Sequence, residues 1–85
     1  MTWKVYILKC HNDSYYVGLT SDLKHRILEH SQGECHHTKS RLPVLLVYSE
    51  AYDNKLQAAR RERQLKGWTR IKKEKLIKGF WKKTA

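Results

Sequence analysis

Two runs of strand character stand four residues apart near the start of the chain: WKVYILKC at 3–10 and YYVGL at 15–19, with HNDS between them. β-Branched and aromatic residues in runs this short, separated by Asn, Asp and Ser, specify an antiparallel hairpin over residues 3–19. A two-stranded hairpin is marginal by itself in water, so the rest of the chain has to cover it. Period-two alternation puts Trp3, Val5 and Ile7 on one face and Tyr6 and Leu8 on the other, and it lets Tyr6 and Tyr16 approach across the hairpin. The 85 residues suffice for one modest core and too little for two, so a single domain over residues 1–85 is expected.

The remaining elements follow from caps and periodicity. Ser21 is a suitable N-cap, Asp22 complements the helix dipole, and Gly33 closes the segment, which predicts a helix near 22–31 with Leu23 and Ile27 as its inner ridge. GECHHTKSRL at 33–42 is polar and reads as a loop. PVLLVYSE after it is apolar and β-rich, which predicts a central third strand with Pro43 at its start. Asn54 followed three residues later by Gln57 resembles a capping box, and Gly67 is a stop, giving a helix over 55–66. Thr69 caps a third helix reaching about Lys78. The expected fold is α+β, a three-stranded antiparallel sheet flanked by helices in the order ββαβαα.

Charge is distributed unevenly. Eighteen Lys and Arg oppose eight Asp and Glu, a net charge of +10. Residues 1–54 are balanced at six of each sign, whereas residues 55–85 hold twelve basic residues against Glu62 and Glu74. A basic region of that density suits a phosphate-rich partner, nucleic acid before an anionic lipid surface, because neutralised phosphates release counterions. Plain solvated helices are the bland alternative. No segment approaches the roughly 20 apolar residues that span a bilayer, and the opening MTWKVYILKC has no signal-peptide pattern, so no membrane association and a cytoplasmic location are expected. Cys10 and Cys35 read as reduced thiols. Cys10, His11, Cys35, His36 and His37 lack the short CxxC or HxxxH spacing of zinc modules, and no Walker loop, nucleophile elbow or HExxH motif is present.

Glu62 is the sharpest anomaly. With about 100° per residue, Leu65, Ala58, Glu62 and Ala59 fall in that order within one third of a turn, so the acid sits in the helix's apolar arc. An inward carboxylate must be paired, protonated or bound to a cation, and a buried Glu–Arg pair competes with a metal site. Arg26 and His30, four residues apart, share a helix face that can present a cation and an imidazole to one phosphate; the competing reading is a polar stripe with Asp22 and Arg26 as a surface ion pair. Tyr6, Tyr15 and Tyr16 would ordinarily be packing residues.

KVY at 4–6, YVG at 16–18, Arg26 ten residues after Tyr16, His30 one turn later and Glu62 on a following helix together resemble the GIY-YIG endonuclease family. VYILKC, YYVGLTSDLKHRILEH, TKSRLPVLLVYSE and RRERQLKGW are similar to its small stand-alone bacterial members, and the likeness covers nearly all of residues 3–78. The resemblance implies that Tyr6, Tyr16, Arg26 and Glu62 face one catalytic cleft, with His30 as an alternative base or phosphate contact. Glu62 would hold one Mg²⁺ or Mn²⁺, Arg26 would clamp the scissile phosphate, and a tyrosine would accept the proton of the attacking water. Three positions depart from the family pattern: Lys4 replaces the first motif's glycine, Leu19 stands where some members have lysine, and no asparagine follows Asn54.

Family analogy also places His37, Thr38, Ser40 and Arg41 at the cleft rim. Affinity for DNA would come from Arg60, Arg63, Lys66, Arg70, Lys72 and Lys73, with Trp68 and Trp81 stacking on unpaired bases or finishing a core. The expectation is a metal-dependent endonuclease of low sequence specificity, acting on structured or damaged DNA in repair or processing, with RNA an open alternative and no obligate protein partner. Its rivals are a nucleic-acid-binding module with this fold and little cleavage, and an interaction domain for an acidic protein.

Overall fold

The computed structural model describes residues 2–34 and 38–79. Its elements are β1 (Trp3–Cys10), β2 (Tyr15–Thr20), α1 (Leu23–Ser31), β3 (Val44–Tyr52), α2 (Lys55–Lys66) and α3 (Arg70–Ile77), with one 3₁₀ turn at Lys39–Arg41. This is the expected α+β order. The hairpin turn is closed by Asn12, whose side-chain carbonyl accepts from the Ser14 backbone N–H at 3.1 Å, while Asp13 takes a positive φ of 66°. Asn and Asp are the residues that tolerate such geometry.

The sheet order is β2-β1-β3, antiparallel throughout. The third strand is therefore an edge strand, and β1 occupies the centre. The physical reason is visible in exposure: Val5, Tyr6, Ile7 and Leu8 of β1 are covered on both faces at 1% or less, whereas Leu45 of β3 is 64% exposed. An apolar β-rich run identifies a strand without saying which neighbours flank it.

Register separates the two faces. Val5, Ile7 and Val17 form one face and pack against Ala58 and Leu65 of α2 and Leu76 of α3, with Trp3, Tyr15, Leu19, Tyr48, Tyr52 and Trp68 around them. Burying each large side chain there contributes about 1.5–3 kcal/mol. Tyr6 opposes Gly18 and Leu8 opposes Tyr16, so these four share the opposite face, which α1 reaches through His30.

The helix caps are mostly as the sequence specifies. Asn54 accepts from Gln57 N–H at 2.9 Å, Thr69 accepts from Lys72 N–H at 3.2 Å, and Gly33 follows α1 with φ +76°. Two details of α1 differ. Its N-cap is Asp22, which accepts from His25 N–H at 3.1 Å, and its fully buried residue is His30, with Leu23 and Ile27 only half-buried.

The α2 helix is fastened to β3 by an ionic cluster. Glu50 accepts from Arg61 Nε at 2.9 Å and Nη2 at 3.0 Å, from Tyr52 Oη at 2.7 Å, and from Tyr48 Oη. Burial disfavours ionisation of Glu50, but the donors from Arg61, Tyr48 and Tyr52 outweigh it and hold its carboxyl below the ordinary value. Burial and the adjacent Glu50 carboxylate push the Tyr52 phenol up to about 12 and raise Tyr48 as well.

Candidate functional site

The site begins with a missing side chain. A Cβ built on Gly18 would lie 2.4 Å from both Cζ and Oη of Tyr6. The Tyr6 ring therefore lies across the glycine on the neighbouring strand, and only glycine leaves that space. With the phenol laid down this way, Tyr6 Oη comes 2.9 Å from His30 Nε2. The other imidazole nitrogen, Nδ1, lies 2.7 Å from Thr38 Oγ1. Tyr6 is 1% exposed, and His30 and Thr38 are 0% exposed.

Tyr16 completes the cluster. Its ring centroid is 5.2 Å from His30 and 6.3 Å from Tyr6, and the Tyr6 and His30 rings meet edge to face at 5.8 Å. Three elements, β1, β2 and α1, thus bring two phenols and an imidazole into one largely buried group. Such a group can move protons, because a hydrogen-bonded phenol and imidazole exchange one readily when charge is stabilised nearby.

Thr38 differs from expectation. Family analogy puts it at the rim as a nucleic-acid contact, but its side chain is fully buried and its hydroxyl meets His30, so it supports the imidazole from inside. Ser40 is exposed. Arg41 is half-buried: its guanidinium donates to Ser14 Oγ at 3.1 Å, and its carbonyl accepts from His11 N–H at 2.9 Å, which fastens the 38–42 segment to the hairpin turn. His37, Cys35, His36 and Trp81 lie outside the described residues.

Arg26 lies one turn before His30 on α1, half-buried, with Nε 3.6 Å from Glu29 Oε1. Glu29 also meets His25 at 3.3 Å, so the ion pair expected between Asp22 and Arg26 is made with Glu29, while Asp22 caps the helix. Glu62 lies on the stripe of α2 that carries buried Ala58 and Leu65. Its side chain is 21% exposed and ion-paired at 3.3 Å with Lys66, itself 54% exposed. The buried Glu–Arg pair weighed for Glu62 is formed by Glu50 and Arg61.

Among the described residues no group of three or more His, Cys, Asp and Glu can cage a metal. A single partly exposed carboxylate ion-paired with an exposed lysine fits a different kind of centre. Mg²⁺ and Mn²⁺ centres of phosphodiester chemistry commonly use one or two carboxylates, waters and the substrate phosphate. Glu62 has the charge and the exposure that such a donor needs.

The basic residues divide into those engaged in holding the fold and those left in solvent. Arg70 donates from Nε to Glu74 at 3.0 Å and from Nη1 to the Asp13 carbonyl, and it lies over the Tyr15 ring at 5.3 Å. Arg61 and Lys72 lie 5.2 and 4.6 Å from the Trp68 ring, which is packed against the core. Lys73 is half-buried, and desolvation lowers its ammonium pKa. Arg60 and Arg63 are exposed. No described helix is long and apolar enough to cross a membrane.

Glu50 and its tyrosines escaped the sequence reading, although Tyr48, Glu50 and Tyr52 alternate on one strand face and a lone acid between two aromatics is a usable signal. Thr38 left no signal, since a loop threonine is unremarkable until the loop folds over a histidine.

Comparison with known proteins bears on the family and the fold. Residues 2–75 match the model of the GIY-YIG catalytic domain. A UPF0213 protein of Staphylococcus saprophyticus is 45% identical over 74 residues, covering 86% of this chain and 90% of that one. One from Staphylococcus aureus is 45% identical over 75 residues, covering 87% and 92%. The solution NMR structure of a UPF0213 protein from Bacillus halodurans superposes with a TM-score of 0.61 at 39% identity, covering 92% of this chain and 84% of that one. A protein from E. faecalis, also solved by NMR, gives 0.68 at 28% identity, covering 100% and 92%.

Proposed function

The chain belongs to the GIY-YIG family, and from that premise we propose that it is a divalent-metal-dependent endonuclease hydrolysing phosphodiester bonds of DNA with low sequence specificity. The observation that carries this reading is the Tyr6–His30–Tyr16 group, a buried proton-transfer cluster built over Gly18. Hydrolysis needs a base for the water, positive charge at the phosphorus and help for the leaving oxygen. Tyr6, Tyr16 and His30 supply the first requirement. Arg26, whose partner Glu29 is a single partly exposed carboxylate, can turn its planar fork to a phosphate for the second.

Mg²⁺ or Mn²⁺ held by Glu62 would supply Lewis acidity for the third when bound. Lys66 must swing away from the carboxylate to admit it, which its exposure allows. Exposed Arg60, Arg63, Lys66 and Lys72 attract the phosphate backbone, with Ser40 and Arg41 at the rim, and such contacts carry no sequence information. DNA of irregular structure, as met in repair or processing, is the substrate class that this combination suits.

The test is nicking of supercoiled plasmid and of branched and single-stranded oligonucleotides in Mg²⁺, Mn²⁺ or EDTA, comparing the native chain with Glu62→Ala and Arg26→Ala. Metal-dependent cutting that each substitution lowers by at least about 100-fold, with salt-sensitive binding retained, is the expected outcome. Binding with no cutting under any cation would leave a nucleic-acid-binding module.

A further inference from the structure

Both nitrogens of His30 are occupied from opposite sides, by Tyr6 Oη at 2.9 Å and by Thr38 Oγ1 at 2.7 Å. A neutral imidazole has one N–H and one bare nitrogen, so one hydroxyl must donate to the ring and the other must accept from it. The two hydroxyls are unequal. A phenol with an ordinary pKa of about 10 is a far stronger donor than an aliphatic alcohol, so the phenol takes the bare nitrogen and the alcohol accepts the N–H.

We propose that Thr38 is a positioning residue: its hydroxyl accepts the Nδ1–H of His30 and fixes the tautomer whose bare Nε2 receives the Tyr6 phenol proton. The inference rests on the nuclease reading for its catalytic consequence and on geometry alone for the tautomer.

The surroundings enforce this arrangement. Thr38 and His30 are fully buried, so water does not readily replace either partner. Thr38 precedes the 3₁₀ turn, its carbonyl accepts from Arg41 N–H at 2.9 Å, and Arg41 is fastened to the hairpin turn through Ser14 and His11. The hydroxyl that meets Nδ1 is therefore carried on the same scaffold as the strand that carries Tyr6. On the other side of the ring, contacts with Tyr6 and Tyr16 restrict rotation of the imidazole.

The proton path balances. The Tyr6 Oη–H bond breaks and an Nε2–H bond forms, giving a phenolate beside an imidazolium that still donates Nδ1–H to Thr38. The phenolate takes a proton from water as that water's oxygen bonds to phosphorus. The phosphorus–leaving-oxygen bond breaks, and the proton on His30 Nε2 passes back to Tyr6 Oη as the phenol gives its own proton to the leaving oxygen, which restores the neutral pair.

The experiment has two readouts. Long-range ¹H–¹⁵N correlation spectra of histidine-labelled protein, taken above the imidazole titration, report which nitrogen of His30 carries the proton. Plasmid nicking with Mn²⁺ reports the reaction. The expected results are Nδ1–H in the native chain and in Thr38→Ser, and a shift toward Nε2–H in Thr38→Val, which replaces the hydroxyl by a methyl of similar size. Thr38→Val nicking should fall by about 100-fold with DNA binding unchanged, and Thr38→Ser should stay within a few-fold of native. Nε2–H in the native chain, or native-like nicking by Thr38→Val, overturns the proposal. Should Thr38→Val fail to fold, the native and Thr38→Ser spectra still decide the tautomer. Absence of nicking by the native chain overturns the nuclease reading, and the spectra then judge the tautomer separately.

Discussion

The two faces of the sheet are made from alternate residues of the same strands and are closed in different ways. On one face, Val5, Ile7 and Val17 meet α2 and α3 in apolar packing, and the Glu50–Arg61 cluster at its margin has donor and acceptor matched. On the other, Tyr6 lies over Gly18 and hydrogen-bonds His30, which also meets Thr38. Both faces bury polar groups, but only the second joins a phenol to an imidazole, a pair of groups that can each donate or accept a proton. Satisfied ionic clusters fasten a fold, whereas a phenol–imidazole pair is a reservoir of movable protons.

Substitutions that act on one face alone sharpen this contrast. A large selective effect is expected at Gly18. In Gly18→Ala the new methyl displaces the Tyr6 phenol, and a shift of that size is expected to lower nicking by about 100-fold. The overpacking itself costs about 1–3 kcal/mol, measurable by thermal melting alongside loss of the Tyr6–His30 contact in NMR spectra.

Glu50→Ala acts on the other face. It leaves Arg61 and two phenols without their common acceptor in a largely buried place, at a cost of about 3 kcal/mol. Denaturant unfolding should show that loss, with nicking per folded molecule unchanged. A melting temperature within a few degrees of native would remove the cluster from the account of stability.

The same face sets the pH limits of stability. The Glu50 carboxyl is held below its ordinary value in the folded chain, so its contribution is present above the ordinary carboxylate value and is lost as pH falls through the lowered one. Tyr48 and Tyr52 are raised, so their contribution is present below the ordinary phenol value and is lost as pH rises, for Tyr52 through about 12. Unfolding free energy measured across pH should therefore decline at both ends, and Glu50→Gln should flatten both limbs.

How much of this could be read beforehand depends on how local each signal is. The hairpin, the Asn54 and Thr69 caps and the buried stripe of Ala58 and Leu65 were legible because they depend on neighbours within a few residues. The Tyr6–Tyr16 approach followed from strand register. The edge position of β3 was not legible, since a run of Val and Leu is the same at an edge or in the centre. Glu62 was read as inward and is only partly so, because Lys66 one turn on draws the carboxylate toward solvent. Thr38 and Glu50 depend on partners eight and eleven residues away that only the folded chain brings close.

The smallest effect concerns affinity. Arg60, Arg63 and Lys72 are exposed, so replacing all three by Gln should lower the slope of log affinity against log salt for duplex DNA by about 2–3. Titrations over a series of salt concentrations measure it. An unchanged slope would move the DNA contacts off α2 and α3.

The contrast between the Tyr6–His30 group and the Glu50–Arg61 cluster is tested most directly by nicking rates of His30→Gln and Glu50→Gln in Mg²⁺ and Mn²⁺, each normalised to the fraction folded. The expected result is a loss of about 100-fold or more for His30→Gln and a native-like rate for Glu50→Gln. Equal losses in the two variants, or a His30→Gln rate matching the native chain, would contradict it.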